Sequence, residues 1–273
     1  MRVTVVGLGL IGGSIALAAR DRLAAEVTGW DADPAAIAAA VERGAIISGA
    51  GSLASAVVDA DAVFAAAPVD ALPDLVRGVL GHAPAECVIS DVGSTKRRIV
   101  DAISDPRFVG GHPLAGAETS GVEHARTEMF EGATWYLTPS RHTANATLAR
   151  VRDLVTTMGA KPVDTDAEGH DCLMAVVSHL PHVFANVLVS QLVSLDPSTV
   201  PGPSFRDATR VAGSNTTVWS GIYMDNRDAL ARAIDNAVER LQAVRETLAG
   251  GDHEALVRWS EQAAADRERL NHE

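Results

Sequence analysis

The most informative residue in this sequence is a histidine set between two glycines and a proline. His112 lies in the segment Gly110–Gly121 (GGHPLAGAETSG), directly after a short apolar run, Phe108–Val109. Glycines let the atoms of another molecule come close, and the proline restricts the backbone that follows. Because histidine titrates near neutral pH and can accept a proton, this context predicts that His112 is a general base. The alternative is a loop histidine that only caps nearby backbone groups.

A second chemical signal is a glycine-rich turn near the start of the chain. The turn Gly7–Gly12 (GLGLIG) follows a β-rich run, Val3–Val6, and precedes a helical stretch that reaches Arg20. Strand, glycine turn and helix in this order form the fingerprint of dinucleotide binding, in which the helix N-terminus faces the pyrophosphate. We predict that the cofactor contacts these positions of the turn: Gly7, Gly9, Leu10, Ile11 and Gly12.

An acidic residue ends the next predicted strand. Val27–Trp30 is β-rich and leads into Asp31, about 20 residues past the last glycine, where the fingerprint places the acid that binds the ribose. Ala32 and Asp33 follow, with no arginine to bind a 2′-phosphate, so NAD is favoured over NADP as cofactor. The alternative is that Asp31 caps the helix that begins near Pro34.

Three further β-rich runs lead into loops at the expected ligand side of a sheet. The runs are 61–67, 87–90 and 108–109, and the second of them leads into Asp91–Lys96 (DVGSTK), which contains Ser94. Because ligands bind beyond the carboxyl ends of strands in an open α/β sheet, these loops should meet beside the nicotinamide. With a strand at 135–138, a helix at 146–158 and a strand at 161–164, they predict an α/β domain over residues 1–166, with a doubly wound parallel sheet of the Rossmann type.

The second half of the chain has helical periodicity. Apolar residues recur at helical spacing over residues 167–194, which predicts a long and mostly buried helix. Pro181 should kink this helix, and Ser178 and His182 share one of its faces. A two-histidine metal site is disfavoured because no third ligand is evident, so we expect no metal and interpret His179 as a core residue.

Two arginines follow this helix at a spacing of one helical turn, Arg206 and Arg210. Such a pair could bind a carboxylate through paired hydrogen bonds, and the alternative is a pair of solvated arginines that balance nearby acids. Two more helices are predicted at 228–248 and 253–271, with apolar stripes that need a partner, which a second chain could provide. We therefore predict an all-α domain over residues 167–273.

Length and composition narrow the class of protein. The chain has 273 residues, 47% of them hydrophobic, which suits one large or two modest globular domains. No uninterrupted apolar stretch is long enough to cross a bilayer and no secretory signal is evident, so we expect a cytoplasmic protein. The net charge of −12 argues against nucleic acid or a membrane as partner. Cys87 and Cys172 lack the spacing of a disulfide framework or a zinc site, and we interpret both as buried small hydrophobic residues.

Together these segments resemble the prephenate/arogenate dehydrogenase family of tyrosine biosynthesis. The resemblance spans residues 1 to about 250 and is most specific in the loop at His112 and in the segment Ser178–His182 (SHLPH). It implies a Rossmann-type domain, an all-helical domain that builds a homodimer, and NAD-dependent oxidative decarboxylation of prephenate to 4-hydroxyphenylpyruvate. The fused chorismate mutase and regulatory ACT domains of larger relatives are not expected here.

The resemblance also implies roles for particular residues. It makes His112 the catalytic histidine and Ser94 the serine that assists it at the substrate hydroxyl. It further implies that the substrate side of the cleft, partly across the dimer interface, is formed by Glu118, Ser178, His182, Arg206 and Arg210.

Other functions stay open. Arogenate carries an amino acid side chain where prephenate has a pyruvyl group, and an additional acid facing the amine would favour it. A protein that binds NAD without catalysis would have little reason to keep His112, Ser94 and Arg210 together. A β-hydroxyacid dehydrogenase shares the two-domain plan but normally uses a lysine base in its helical half, and no lysine follows Lys161 in this chain.

Overall fold

A computed structural model of the chain describes residues 1–117, 119–195 and 198–271. The chain divides into two compact units, Met1–Arg227 and Asp228–Glu273. The first unit includes several helices that follow residue 166. The domain boundary predicted after residue 166 stays a prediction.

The first unit is built on a mixed sheet. Its strands in the described part of the chain are β1 (Arg2–Val6), β2 (Glu26–Trp30), β3 (Ser48–Gly49), β4 (Ala62–Ala65), β5 (Val88–Asp91), β6 (Phe108–Pro113), β7 (Thr134–Thr138) and β8 (Lys161–Asp164). They lie in the order β3-β2-β1-β4-β5-β6-β7-β8, and every neighbouring pair is parallel except β6 and β7. The predicted Rossmann-type sheet is confirmed, but its last part contains an antiparallel pair that the sequence did not indicate.

Helices connect these strands and continue beyond the sheet. They are α1 (Leu10–Leu23), α2 (Pro34–Glu42), α3 (Leu53–Val57), α4 (Leu72–Leu80), α5 (Arg97–Ala102), α6 (Asn145–Thr157), α7 (Ala167–Met174), α8 (Leu180–Leu195), α9 (Pro203–Thr209), α10 (Thr216–Asp225), α11 (Arg227–Gly250) and α12 (His253–Asn271). Short 3₁₀ turns occupy Val122–His124, Thr127–Phe130 and Arg210–Gly213, and a π-helical segment occupies Ala175–His179.

The central strands are apolar throughout because both faces of the sheet are covered. Successive residues of β4, Val63 and Phe64, belong to two different hydrophobic clusters. Ile15 of α1 and Leu154 of α6 are in the cluster of Phe64, and Val76 of α4 is in the cluster of Val63. This burial on both faces is typical of parallel strands and explains their near-continuous apolar runs.

His112 lies on a strand and not in the loop that the sequence predicted. β6 pairs parallel with β5 over Phe108–Val109 and then antiparallel with β7 over Gly110–Pro113. Both glycines of the strand are buried, and a Cβ atom at Gly111 would lie 2.6 Å from the carbonyl oxygen of Asp91. The glycines therefore allow close packing of protein segments, and the expectation that they let another molecule approach is wrong.

The predicted long helix spans Ala167–Leu195 and contains one wide turn. α7 leads into the π-helical segment, and α8 begins directly after it. Pro181 has no N–H to donate to the carbonyl of Val177, four residues earlier, and its ring crowds that carbonyl. The π turn contains Val177 and accommodates the crowding, so the irregularity predicted at Pro181 lies just before it.

The apolar side chains of this helix are exposed in the single chain, which contradicts the prediction of a mostly buried helix. Val176, Phe184 and Val193 are 55%, 38% and 56% exposed, whereas His179 and His182 are 1% and 5% exposed. The helix packs its histidines inward and presents an apolar face outward. Apolar periodicity shows that a face needs cover, but it does not show which chain supplies the cover.

By length and composition, Ala167–Leu195 could also cross a membrane. Only 28% of its most apolar 18-residue window is buried in the single chain. The core helix of a soluble protein passes the same test, so one such helix is weak evidence for a membrane span.

The two cysteines have different environments. Cys87 is buried beside β5, and this burial raises the pKa of its thiol to about 11. Cys172 is exposed on α7, which corrects the expectation that it is buried. The two residues that precede Cys172 on α7, His170 and Asp171, are buried instead.

The second compact unit holds α12 and all but the first residue of α11. The two helices match those predicted at 228–248 and 253–271, and Gly251 between them has φ +68°, which glycine adopts without strain. Leu241, Leu248 and Trp259 are 56%, 60% and 57% exposed. The apolar stripes predicted for these helices are therefore partly uncovered in the single chain.

Replacement of Gly111 by alanine should destabilise the protein. The new Cβ would lie 2.6 Å from the carbonyl oxygen of Asp91 and from Oγ of Ser90, between strands that are hydrogen-bonded to each other. Overpacking of this kind costs about 1–3 kcal/mol, so the melting temperature should fall by several degrees. Gly51→Ala is a matched control because nothing lies within 4 Å of its Cβ position. Equal melting temperatures for the two variants would show that the strands can separate at no cost.

Candidate active site

The glycine turn has the shape that a pyrophosphate group requires. Gly7 has φ +95°, and a Cβ atom there would overlap the carbonyl oxygen of Ala66. A Cβ atom at Gly12 would overlap the carbonyl oxygen of Gly7, so α1 can pack against the turn only with glycine here. At Gly9, by contrast, nothing lies within 4 Å of the Cβ position. The space beside Gly9 is open for a ligand to approach the backbone.

Helix α1 begins beside this open space and has no side-chain cap. Its N-cap is Gly9, and no side chain accepts a hydrogen bond there from the first turn. Leu10 and Ile11 form that turn and line a cavity together with Gly9 and Gly12. Because backbone N–H groups at a helix N-terminus bind phosphate well, the turn fits the pyrophosphate of a dinucleotide.

Asp31 lies beside the glycine turn at the carboxyl end of β2. Its Oδ2 accepts a hydrogen bond from the backbone N–H of Leu8 (2.7 Å), and its Oδ1 accepts one from Asp33 (2.9 Å). The cap of α2 is Asp33, whose Oδ1 accepts the N–H of Ala35 (2.9 Å), so the alternative that Asp31 caps this helix is wrong. A carboxylate in this position would repel the 2′-phosphate of NADP.

Two cavities adjoin at the carboxyl ends of the central strands. The first has a volume of about 390 Å³ and is lined by the glycine turn, the loops after β4 and β5, and α10. The second has a volume of about 350 Å³ and is lined by the end of β6, the loop that follows it, and the π-helical segment. Ser94, Trp219 and Ile222 line both cavities. A ligand in the first cavity would therefore lie next to a ligand in the second.

His112 lines the second cavity and is half-buried. Its Nδ1 lies 2.9 Å from Nε2 of His170, a fully buried residue of α7. Burial lowers the pKa of His112 well below its usual value of 6.5, and the nearby His170, Lys96 and His179 lower it further. The lowered pKa keeps the imidazole neutral, which is the form that can accept a proton.

A buried ion pair supports the strand that carries His112. Asp91 ends β5, and its carboxylate pairs with the ammonium group of Lys96; both side chains are fully buried. The same carboxylate accepts the backbone N–H of Gly93 (2.8 Å) and that of Gly111 (3.1 Å). Asp91 thereby links the end of β5 to the residue that precedes His112.

The structure brings three of the predicted site residues to one cavity. Ser94, from the loop after β5, and Ser178, from the π-helical segment, line the second cavity together with His112. Ser178 belongs to the π-helical segment and faces the second cavity. These residues come from three separate parts of the chain. The convergence predicted for the loops after the runs 61–67, 87–90 and 108–109 is found at the first cavity, whose lining includes Pro68, Ser94 and Ala117.

His182 is buried behind Trp219 and lines neither cavity. The two rings stack with their centroids 3.7 Å apart and their planes within 3°. Nδ1 of His182 contacts the hydroxyl of Tyr223 and lies 3.3 Å from Nδ2 of Asn186. Burial also lowers the pKa of His182. Trp219, by contrast, lines both cavities.

His179 is buried, as expected for a core residue. Its Nδ1 lies 3.2 Å from Nδ2 of Asn226, and its ring meets that of Trp219 edge to face. Burial lowers the pKa of His179 to about 4. A neutral His179 therefore packs behind the shared wall of the two cavities.

The two arginines predicted as substrate anchors are exposed and line neither cavity. Arg206 lies on α9, and Arg210 begins the 3₁₀ turn that follows; both segments pack against α8. Glu118 lies outside the described residues. The roles that the resemblance implies for these three residues stay predictions.

Sequence reasoning missed the groups that surround His112. His170 and Asp171 are adjacent on α7, and a histidine–aspartate pair on the helix that follows β8 is a signal that could have identified them. The pairing of Lys96 with Asp91 has no sequence signature. Nothing in the sequence marks Trp219 as a wall of both cavities.

Two family models match most of the chain. The model described as "Prephenate dehydrogenase, nucleotide-binding domain" matches residues 15–164, and "Prephenate dehydrogenase, dimerization domain" matches residues 166–262. Among curated relatives, a prephenate dehydrogenase of Bacillus subtilis (strain 168) is 34% identical over 284 aligned positions, which cover 98% of this chain and 76% of the relative.

Solved structures of similar proteins extend over nearly the whole chain. Prephenate dehydrogenase from A. aeolicus, in complex with hydroxyphenyl propionate and NAD+, has a TM-score of 0.93 and 30% identity, with 99% of this chain and 98% of that chain covered. Synechocystis arogenate dehydrogenase has a TM-score of 0.85 and 26% identity, with 99% and 100% covered. Proteins similar to this chain are therefore named for two different substrates.

Replacement of Gly9 by alanine should weaken dinucleotide binding without unfolding the protein. No atom of the described residues lies within 4 Å of the new methyl group, which occupies the open space through which a pyrophosphate would approach the backbone. We expect the Kd for NAD, measured by calorimetry, to rise about tenfold or more, which is at least about 1.4 kcal/mol. Gly12→Ala provides the contrast, because its Cβ would overlap the Gly7 carbonyl and lower the melting temperature. Unchanged NAD affinity in Gly9→Ala would exclude this binding mode.

Proposed function

Because this chain belongs to the prephenate dehydrogenase family, we propose that it converts prephenate to 4-hydroxyphenylpyruvate by NAD-dependent oxidative decarboxylation. One observation carries the proposal: two cavities adjoin, the glycine turn lines the first, His112 lines the second, and Ser94 lines both. This arrangement suits a reaction in which a base takes the proton of a substrate hydroxyl while a hydride acceptor in the adjacent space takes hydride from the carbon that bears it.

The chemistry of prephenate requires little more than orientation and one base. The ring carries a hydroxyl at C4 and a carboxylate at C1. Withdrawal of the hydroxyl proton favours loss of hydride from C4 and of carbon dioxide from C1, and the ring becomes aromatic. NAD supplies the hydride acceptor when it is bound in the first cavity. Aromatisation provides the driving force, so the protein mainly has to hold the substrate and take the proton.

We assign His112 as the base that takes the proton of the substrate hydroxyl. It is half-buried in the wall of the second cavity, its Nδ1 is engaged by His170, and its pKa is lowered so that the ring is neutral before reaction. The nitrogen left for the substrate hydroxyl is Nε2. Ser94, at the junction of the two cavities, would share the hydrogen bond to that hydroxyl.

The substrate carboxylates need cationic partners, which we assign to the segment after α8. Arg210 would bind one carboxylate, with Arg206 beside it, since guanidinium groups bind carboxylates through two parallel hydrogen bonds. Ser178, His182 and Glu118 would complete the substrate side of the cleft. These assignments rest on the resemblance and on the position of α9 and the following turn beside α8.

We propose that the protein is a homodimer and that some of these contacts cross its interface. The support is the outward apolar face of the Ala167–Leu195 helix, whose side chains at Val176, Phe184 and Val193 are more than a third exposed in the single chain. The family model that matches residues 166–262 is described as a dimerization domain. A second copy would bury this face and could complete the surroundings of Arg206 and Arg210.

We also propose a cytoplasmic location.

The preferred cofactor is NAD. Asp31 holds its carboxylate beside the glycine turn through the N–H groups of Leu8 and Asp33. A carboxylate there can accept hydrogen bonds from ribose hydroxyls, and it repels a 2′-phosphate. Arogenate is the second candidate substrate, because Synechocystis arogenate dehydrogenase is similar along the whole chain.

The proposed reaction is tested by supplying both compounds with both cofactors. Prephenate with NAD should give NADH, followed by absorbance at 340 nm, and the largest kcat/KM of the four combinations. The released carbon dioxide should match the NADH formed. A larger kcat/KM with arogenate would reassign the substrate, and equal efficiency with NADP would contradict the role of Asp31. Binding of NAD without turnover of either compound would identify a protein that binds NAD without catalysis.

Replacement of His112 by asparagine should lower kcat by about 10²–10⁴-fold, because a positioned general base contributes about that factor. Affinity for NAD should stay within about twofold, since the base is not part of the glycine turn. The acidic limb of the wild-type kcat/KM profile should lie below pH 6.5 and disappear in the variant. His82→Asn, at an exposed position, is the control. A loss of less than about tenfold would remove His112 from this role.

A further inference from the structure

His112 belongs to a chain of three side chains that leads away from the cavity. Its Nδ1 lies 2.9 Å from Nε2 of His170, and Nδ1 of His170 lies 2.8 Å from Oδ1 of Asp171. His170 is 0% exposed and Asp171 is 4% exposed. The proposed function needs only a base at His112, so the two inner residues have no role in it yet.

Asp171 is held in place by backbone groups from elsewhere in the fold. Its two carboxylate oxygens accept the N–H groups of Lys96 (2.7 Å) and Arg97 (2.9 Å), at the start of α5. Asn226 donates to the backbone carbonyl of Asp171 (2.7 Å). Burial by itself would raise the pKa of Asp171, but hydrogen bonds from His170 and from these N–H groups bring it below the ordinary value. Asp171 is therefore an ionised carboxylate, which can only accept hydrogen bonds.

The positions of the protons on these three hydrogen-bonded side chains follow from the carboxylate of Asp171. Because the Asp171 carboxylate only accepts, the proton of a neutral His170 must lie on Nδ1, and its Nε2 becomes an acceptor. Nε2 of His170 can then bind only a donor, so Nδ1 of His112 must carry the proton of that ring. This leaves Nε2 of His112 with a free lone pair.

We propose that His170 and Asp171 are positioning residues that hold His112 in the tautomer with its proton on Nδ1, so that Nε2 is ready to accept the proton of the substrate hydroxyl. The proposal rests on the role of His112 in the proposed function. It assigns neither residue a contact with substrate or cofactor: both act through the ring of His112. A carboxylate that sets the tautomer of a catalytic histidine is a known device of hydrolytic triads, and here a second histidine is inserted between the two groups.

The charges around His112 make this support necessary. Burial, His170, Lys96 and His179 all disfavour an imidazolium at this position, and the carboxylate of Asp91 is already paired with Lys96. The ring of Tyr136 packs against that of His170 edge to face. Asp171 is thus the carboxylate aligned, through His170, with Nδ1 of His112. When His112 takes the proton, its Nδ1–H donates more strongly along this chain.

A pair of variants at position 170 separates hydrogen-bond polarity from packing. Glutamine can accept from His112 through its carbonyl oxygen and donate to Asp171 through its amide, so His170→Gln preserves the polarity of the chain. Methionine has a similar volume but can do neither. We expect kcat to stay within about threefold of wild type for His170→Gln and to fall about 10–100-fold for His170→Met, with the KM values for NAD and substrate within about twofold in both.

A spectroscopic measurement tests the tautomer without turnover. In protein labelled with ¹⁵N-histidine, imidazole nitrogen shifts distinguish N–H from bare nitrogen, and the spectrum of His112→Asn identifies the signals of His112. The wild type and His170→Gln should show the proton on Nδ1. His170→Met should show a mixture or the Nε2–H tautomer. Melting temperatures and NAD affinities of all variants, compared with wild type, establish that the proteins are folded.

The outcomes separate this proposal from the proposed function. If His170→Met retains wild-type kcat and the Nδ1–H tautomer, or if His170→Gln loses as much activity as His170→Met, the positioning role is wrong. If the wild type turns over neither prephenate nor arogenate, the proposed function fails, whereas the nitrogen spectra still report on the tautomer. Asp171→Asn adds a second test, because an amide can donate to His170 and reverse the order of protons along the chain.

Discussion

The geometry of the candidate active site depends on the interactions of one buried carboxylate, that of Asp91. It ends β5, pairs with the ammonium group of Lys96 and accepts backbone N–H groups from Gly93 and Gly111. An ionised group without solvent must satisfy its charge and its lone pairs within the protein, and removal of one partner from such a pair costs about 3–5 kcal/mol. The four groups can meet only in one register of β5 and β6. That register places His112, the next residue after Gly111, at the rim of the second cavity.

β6 changes its pairing partner at Gly110, the residue before this link. Up to Val109 the strand continues the parallel sheet, and from Gly110 onward it pairs with the antiparallel strand β7. Glycine at 110 and 111 allows the close approach of β5, β7 and the side chains between them. Gly9 is different, because no atom of the described residues lies within 4 Å of its Cβ position. Glycines in two motifs of this chain therefore have opposite roles. Gly110 and Gly111 allow other segments of the protein to pack closely, whereas Gly9 leaves room for a ligand.

The helix that follows the sheet combines two functions on opposite faces. Its inward face carries His170, Asp171 and His179, which surround the candidate base and the wall of the cavities. Its outward face carries the apolar side chains that a second copy of the chain would cover. Between the two halves of this helix lies the π turn ahead of Pro181. It widens the helix where the proline cannot continue the hydrogen-bond ladder. The residues that surround His112 and the apolar face that a second copy would cover therefore belong to the same helical stretch.

The sequence by itself determined the features whose parts are close together in the chain. Strand, glycine turn, helix and acidic residue lie within the first 31 residues, so the dinucleotide fold and the position of Asp31 could be predicted from local pattern. His112 could be singled out from its neighbours in the same way. The tertiary structure alone decided the interactions between distant residues: His170 is 58 positions from His112, and Asp171 is 75 positions from Lys96. It also decided which face of the long helix is buried. Periodicity reveals that a helix has two faces, but burial depends on what else in the molecule, or in a second molecule, packs against each of them.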